Sequence, residues 1–160
     1  RVYEFFPSKA AFLTLLMRRT DVQLLSGHDV ADADEPARER LLDVLMRRLD
    51  ALAPHRRAIG SILRDSGADP LGAIWYLPAF GKSVAWSLEA AGISASGLSG
   101  IARVKGLAAI HLSAMRVWMK DESQDFSETM AYLDRNLRRA ERLMALLPGI
   151  SRTLQRDKGE

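Results

Sequence analysis

The hydrophobic residues of this chain recur at intervals of three and four residues, the spacing of one face of an α-helix. Leu41, Leu45, Leu49 and Leu52 show the pattern most clearly. No run of four or more residues alternates between apolar and polar outside such a pattern, so no β-strand is predicted. The chain is therefore expected to be all-α, with helices over about residues 8–25, 36–53, 55–66, 69–91, 98–120 and 123–147.

Glycine, proline and small polar residues mark the predicted ends of these helices. Ser26-Gly27 stops the first helix and Pro148-Gly149 stops the last. The acidic stretch 28–35 lacks large apolar residues and is predicted to be a loop. Pro78 falls inside the helix over 69–91, where it removes a backbone hydrogen bond and is expected to cause a kink.

The last two long helices carry more apolar surface than one core uses, because a surface helix needs an apolar stripe of only ~100°. This surface fits either a plain monomeric bundle or a two-fold dimer in which both helices pair with their copies, and we favour the dimer. Small residues line one strip of the first helix and a four-three repeat lines the second. The predicted interface residues are Ala102, Gly106, Ala109, Ser113, Met130, Leu133, Leu137, Ala140 and Met144.

Aromatic residues are concentrated near Pro78, where four of the eleven in the chain lie within twelve residues. Ligand pockets in helical bundles are mostly apolar cavities between helices, so this region predicts a pocket whose opposite wall comes from the next long helix. The alternative is that these side chains fill a core and that His111 is a hydrogen-bonded core histidine. The predicted pocket residues are Trp75, Tyr76, Phe80, Trp86, His111, Met115 and Trp118.

Composition excludes several classes of protein and chemistry. The 160 residues are 48% hydrophobic, enough for a folded domain, and contain no Cys, which excludes disulfides and thiolate metal sites and fits a cytoplasmic location. No apolar run is long enough to span a membrane. The three histidines are dispersed without metal-ligand spacing, and no phosphate-binding loop is present, so no catalytic residue, metal or cofactor is predicted. Arg47, Arg48, Arg138 and Arg139 are expected to be helix-surface charges.

The first twelve residues, RVYEFFPSKAAF, resemble the end of the DNA-binding domain of TetR-family bacterial regulators. The match consists of Tyr3, Phe6, Pro7, Ser8, Lys9 and Phe12. The resemblance implies that Tyr3 and Lys9 contact operator phosphates, and a lysine in the first turn of a helix suits an anion physically. The alternatives are a packed aromatic for Tyr3 and a solvated surface lysine for Lys9. The rest of that helix-turn-helix domain is expected upstream of Arg1.

A second resemblance covers the C-terminal part of the chain. The segment KGLAAI at 105–110, followed by Trp118, Asp121, Ser123, Asp125-Phe126, Thr129 and Leu133-Asp134-Arg135, is similar to the lipid-binding accessory proteins of ubiquinone biosynthesis. Those proteins share the TetR-like fold without a working DNA-binding domain. The resemblance therefore points to an apolar ligand.

These observations together favour a TetR-type regulator, a repressor, rather than an enzyme. Residues 1–9 would end its DNA-binding domain, residues 10–149 would form the ligand-binding and dimerisation domain, and residues 150–160 would be a polar tail. Its expected partners are operator DNA, a small apolar ligand and a second copy of the chain. The alternative is a lipid- or isoprenoid-binding accessory protein that does not bind DNA.

Overall fold

The structure, a computed structural model, describes Leu15, Leu16, Arg19, Val22 and residues 35–68 and 77–146. Its helices are α1 (Ala37–Leu52), α2 (Arg56–Ala68), α3 (Leu77–Ala90), α4 (Gly97–Trp118) and α5 (Ser127–Ala145), and a short 3₁₀ turn, Ala53–His55, joins α1 to α2. The described segments contain helices and turns without a strand, which confirms the all-α prediction. They form two compact units, Arg1–Ser94 and Ala95–Glu160.

The core of the first unit lies where α1 packs on α3. The leucine repeat predicted from sequence is buried there, with Leu41, Leu45, Leu49 and Leu52 all facing inward. Apolar residues of α3 at helical spacing, Phe80, Val84 and Leu88, complete this core. The α1 boundaries lie within one residue of the prediction because both the apolar spacing and Pro36 mark them.

Arg40 ties the beginning of α1 to the end of α3. Its Nη1 donates to the Glu35 carbonyl at 2.7 Å and its Nε donates to the Ala91 carbonyl at 3.0 Å. Gly92 follows in the left-handed conformation, with φ +71°. The Gly92 N–H donates to the Glu89 carbonyl and the Ile93 N–H donates to the Leu88 carbonyl, so α3 ends in a Schellman motif. A cation at this helix end also interacts favourably with the helix dipole.

The second unit is a pair of helices, α4 and α5, that pack on each other. Leu107 and Ala114 of α4 and Leu133 and Leu137 of α5 are buried between them. The backbone at Gly100 approaches the segment before α4 so closely that a Cβ there would lie 2.1 Å from the carbonyl of Ala95. A glycine is therefore required at this position.

Several predicted features lie outside the described residues. They are the phosphate contacts Tyr3 and Lys9, the pocket residues Trp75 and Tyr76, most of the 28–35 loop, and the domain limits at 9/10 and 149/150. Pro78 is the second residue of α3 as the structure describes it. A kink at Pro78 would be seen from the direction of the residues before it, and these lie outside the described part of the chain.

Candidate functional site

The two described pocket residues of the first unit lie on different sides of α3. Phe80 is buried in the core against α1, whereas the Trp86 side chain is 44% exposed. Six residues separate them, which on an α-helix places them about 120° apart around the axis. The structure therefore does not bring Trp86 and Phe80 together.

The pocket residues of the second unit do share one face. His111, Met115 and Trp118 follow one another by four and three residues along α4 and are all buried. The Trp118 ring packs edge-on against Phe126, with ring centroids 6.1 Å apart and planes inclined by 60°. These side chains form a buried, mostly apolar cluster that includes the His111 imidazole.

The prediction that Arg47 and Arg48 both lie on the surface is wrong for Arg48. Arg47 is exposed and forms an ion pair with Asp43 one turn earlier, at 2.7 Å. The Arg48 side chain is only 2% exposed. Its position follows the same three- and four-residue spacing as the apolar residues Leu45 and Leu52, and that spacing was the signal in the sequence that it faces inward.

Two buried serines of α3 hold the Arg48 guanidinium. Nη1 donates to the Ser83 carbonyl at 3.2 Å and to the Ser87 hydroxyl at 3.1 Å, and Nη2 donates to the Ser83 hydroxyl. The Ser87 hydroxyl in turn donates to the Ser83 carbonyl at 3.1 Å. Ser83 and Ser87 are one helical turn apart, so both hydroxyls face α1. The result is a polar cluster inside an apolar core.

Asp121, a residue without a role in the site predicted from sequence, organises the turn between α4 and α5. Its carboxylate is fully buried. One oxygen accepts the Ser123 backbone N–H at 3.0 Å and the Ser123 hydroxyl, and the other accepts the Thr129 backbone N–H at 2.8 Å and the Thr129 hydroxyl at 2.7 Å. The carboxylate thus satisfies a free N–H in the first turn of α5.

These hydrogen bonds determine the charge state of Asp121. Burial by itself raises the pKa of a carboxyl group, because it disfavours the charged form. The four hydrogen bonds from Ser123 and Thr129 outweigh that effect and lower the pKa of Asp121 from 3.8 to about 2. Asp121 is therefore a carboxylate at neutral pH, which suits the positive end of the α5 dipole.

Phe126 adds strain to the same turn. It precedes α5 with φ 52° and ψ 39°, the left-handed conformation that costs a residue with a side chain about 1–2 kcal/mol. Its ring contact with Trp118 and the hydrogen bonds of Asp121 surround this backbone and hold it in place. The turn is therefore firmly specified by its tertiary contacts.

The predicted interface residues of α4 lie on its solvent side. Ala102, Gly106 and Ala109 are exposed, and Ser113 is half-buried with its hydroxyl donating to the Ala109 carbonyl at 2.9 Å. The same side exposes three larger apolar side chains, Leu98, Ile101 and Leu112. We call these seven residues the outer face of α4.

The predicted interface residues of α5 are divided between core and surface. Leu133 and Leu137 are buried against α4 in the same chain, which leaves them almost no surface for a second copy. Met130 is exposed, and Ala140 and Met144 are half-buried. Leu133 and Leu137 of the α5 repeat thus hold the second unit together, and the large apolar side chains that α5 and its end expose are Met130, Leu143 and Leu146.

Gly106 allows a test of whether a helix packs on the outer face. A Cβ added at Gly106 or at Gly81 in α3 meets no atom of the chain within 4 Å. Replacing either glycine by alanine should therefore raise the free energy of unfolding of the monomer by about 0.5–1 kcal/mol, through helix propensity. Chemical denaturation at low protein concentration measures this gain.

Only Gly106→Ala is expected to weaken self-association as well, because its methyl group would separate two closely packed helices. Sedimentation equilibrium of Gly106→Ala and Gly81→Ala gives the two dissociation constants. Equal constants for the two variants would show that no helix packs closely at Gly106.

The all-helical fold is that of TetR-type transcriptional regulators. The chain is similar to the TetR transcriptional regulator from Nitrosomonas europaea, whose crystal structure it matches with a TM-score of 0.69. The two sequences are 25% identical, and the match covers 88% of this chain and 77% of that one. This similarity confirms the resemblance to TetR-type regulators that the sequence indicated.

A family model described as COQ9 matches residues 103–144, which include most of α4, the Asp121 turn and α5 up to Met144. This match supports the second resemblance, which rests on the same part of the chain. A comparison with curated proteins gives no match.

Two searches of the described residues bear on other classes of site. None of the described helices has the length and apolar character needed to cross a membrane. Among the described side chains, no group of three or more His, Asp or Glu residues is placed to hold a metal ion.

Proposed function

We propose that the chain is the ligand-binding and dimerisation part of a TetR-type transcriptional regulator, a repressor, and not an enzyme. The observation that carries this proposal is the similarity to a TetR regulator over 88% of the chain at a TM-score of 0.69. The motif from Tyr3 to Lys9 adds support, because it matches the end of the DNA-binding domain of such regulators.

Contact with DNA would be made by the N-terminal domain, with Tyr3 and Lys9 binding operator phosphates. Phosphate contacts position a protein on DNA and supply most of the salt-dependent affinity, whereas bases are recognised by the helix-turn-helix.

A small apolar ligand would bind in the helical domain. In the second unit, the buried side of α4 that carries His111, Met115 and Trp118 would supply contacts to this ligand. A ligand that binds one arrangement of the helices better shifts the population toward that arrangement and changes the spacing of the two DNA-binding domains.

Dimerisation would use the outer face of α4. This side of α4 is rich in alanine, glycine and large apolar residues and also carries the exposed charges Lys105 and Arg116. The exposed side of a solvated helix is normally more polar. Small residues allow the backbones of two helices to approach closely, and a two-fold axis would pair this face with its own copy.

The full-length protein tests the proposal when it is mixed with sheared genomic DNA and the retained fragments are sequenced. A regulator is expected to enrich a small set of fragments that contain a palindromic sequence, and added salt should weaken the enrichment steeply. Retention of fragments without any shared sequence would contradict the proposal.

The second candidate function is that of a lipid- or isoprenoid-binding accessory protein without DNA binding. The match of residues 103–144 to the COQ9 family model favours it. Organic extraction of the purified protein followed by mass spectrometry distinguishes the two. A stoichiometric isoprenoid lipid, together with no enriched DNA fragment, supports the accessory protein over the regulator.

A further inference from the structure

The exposed side of α5 carries a row of arginines. Its members are all exposed and follow one another at i, i+3, i+4 and i+7, so they lie on one side of the helix. We call them the arginine row: Arg135, Arg138, Arg139 and Arg142. Leu133 and Leu137, which pack against α4, occupy the opposite side of α5.

The arginine row is unfavourable for the isolated chain. Every member has another member three or four residues away, and like charges at this spacing destabilise a helix. Arg138 forms an ion pair with Asp134 at 2.9 Å. Within the part of the chain that the structure describes, Arg135, Arg139 and Arg142 form no ion pair and no hydrogen bond through their side chains. A negatively charged partner would therefore relieve a repulsion that the fold itself does not need.

Two exposed leucines continue the same side of the helix beyond the arginines. Leu143 and Leu146 follow Arg139 by four and seven residues and are 64% and 77% exposed. The surface is thus about one helix wide, with the arginines spread over about 10 Å along the helix axis and an apolar end. A second helix with acidic residues at the same spacing and apolar residues beyond them is complementary to it in charge and in length.

The surroundings of the arginine row favour a narrow peptide over a broad polyanion. Asp134 and Glu141 lie one turn before and one turn after Arg138, along one edge of the row. A DNA duplex or an anionic bilayer is wider than the row and would bring phosphates close to these carboxylates. The exposed leucines also gain nothing from contact with phosphates. A peptide helix can follow the row and its leucines without meeting the acidic edge.

We infer that the arginine row, together with Leu143 and Leu146, is the docking surface for an acidic amphipathic helix of a partner protein. None of these residues belongs to the proposed ligand contacts or to the outer face of α4. The inference therefore goes beyond the proposed function and does not depend on it.

Fluorescence anisotropy of a labelled synthetic peptide with the full-length protein tests the inference. The peptide forms a helix, carries glutamates at i, i+3, i+4 and i+7, and has leucines at both ends so that either chain direction can bind. A second peptide has the same composition in scrambled order and therefore the same net charge. The ordered peptide should bind at least about tenfold more tightly, and added salt should weaken its binding.

The double variant Arg135→Gln/Arg139→Gln removes two charges from the row and keeps good helix formers, so the protein should remain folded. Its affinity for the ordered peptide should fall by about tenfold or more. The matched control is Arg47→Gln/Arg57→Gln, which removes two exposed arginines of the first unit and should bind as the parent does.

Equal affinity for the two peptides overturns the inference, as does an equal loss in the two double variants or no binding of the ordered peptide. Phosphatidylglycerol vesicles and a random DNA duplex are titrated in the same way. If the loss in Arg135→Gln/Arg139→Gln is found with vesicles or duplex and not with the ordered peptide, the partner is a lipid surface or a nucleic acid, and the inference is wrong.

Discussion

Asp121→Asn is expected to lower the free energy of unfolding by about 3 kcal/mol, since breaking a buried, charge-assisted network costs this much. Each carboxylate oxygen of Asp121 accepts one backbone N–H, from Ser123 or from Thr129. An asparagine offers only one acceptor oxygen. In either orientation its NH₂ group faces a backbone N–H, which leaves a buried donor without an acceptor.

Urea denaturation followed by circular dichroism measures this loss. The matched control is Asp125→Asn, which removes an exposed carboxylate from the same turn and should change stability by less than about 0.5 kcal/mol. Similar losses in the two variants would mean that the Asp121 network does not hold the turn.

The same network predicts an acid dependence of stability. Because the pKa of Asp121 is lowered from 3.8 to about 2 in the folded chain, its contribution is fully present above pH 4 and is lost as the pH falls toward 2. The loss amounts to about 2 kcal/mol, at 1.36 kcal/mol per pKa unit. The difference in stability between the parent and Asp121→Asn should therefore shrink over this range.

Ala109→Arg is expected to raise the dissociation constant of the proposed dimer by roughly 100-fold or more. Ala109 lies in the middle of the outer face of α4, where a partner helix would have to accommodate a long charged side chain. The residue is exposed in the single chain, so the fold itself should be unaffected. Analytical ultracentrifugation across the micromolar range gives the dissociation constant.

Ala131→Arg is the control for the outer face. Ala131 is an exposed alanine of α5 on the side opposite its contact with α4, so this variant adds the same charge outside the proposed interface. Its dissociation constant should equal that of the parent. If the dissociation constant of Ala109→Arg equals that of the parent, or if both variants raise it equally, the interface lies elsewhere.

The sequence predicted helices well where one apolar stripe dominated and less well at the start of α5. Ser123 and Asp125 are residue types that favour N-caps, so the helix was expected to begin there. It begins at Ser127, whose N–H donates to the Ser123 hydroxyl at 3.0 Å, and the Asp121 carboxylate reaches eight residues along the chain to accept the Thr129 N–H. Phe126 in the left-handed conformation precedes the helix, an arrangement that depends on tertiary contacts and has no local sequence signal.

The candidate site shows the same limit for side chains. The burial of His111, Met115 and Trp118 on one face follows from their spacing, and so does the separation of Phe80 from Trp86, whose six-residue offset places them about 120° apart on a helix. Arg48 was expected on the surface because arginines seldom lie in cores. Its partners Ser83 and Ser87 are 35 and 39 residues away in the sequence, so no local pattern connects them with it.

The contrast between Trp86 and Trp118 has a spectroscopic consequence. Trp86 belongs to the first unit and is exposed, whereas Trp118 belongs to the second and is completely buried. With Trp75 replaced by Phe, iodide should quench the long-wavelength emission of Trp86 and leave the shorter-wavelength emission of Trp118 intact. Unfolding of each unit can then be followed by its own fluorescence, and coincident transitions would identify the chain as one cooperative unit. The chain thus carries an intrinsic optical reporter in each unit.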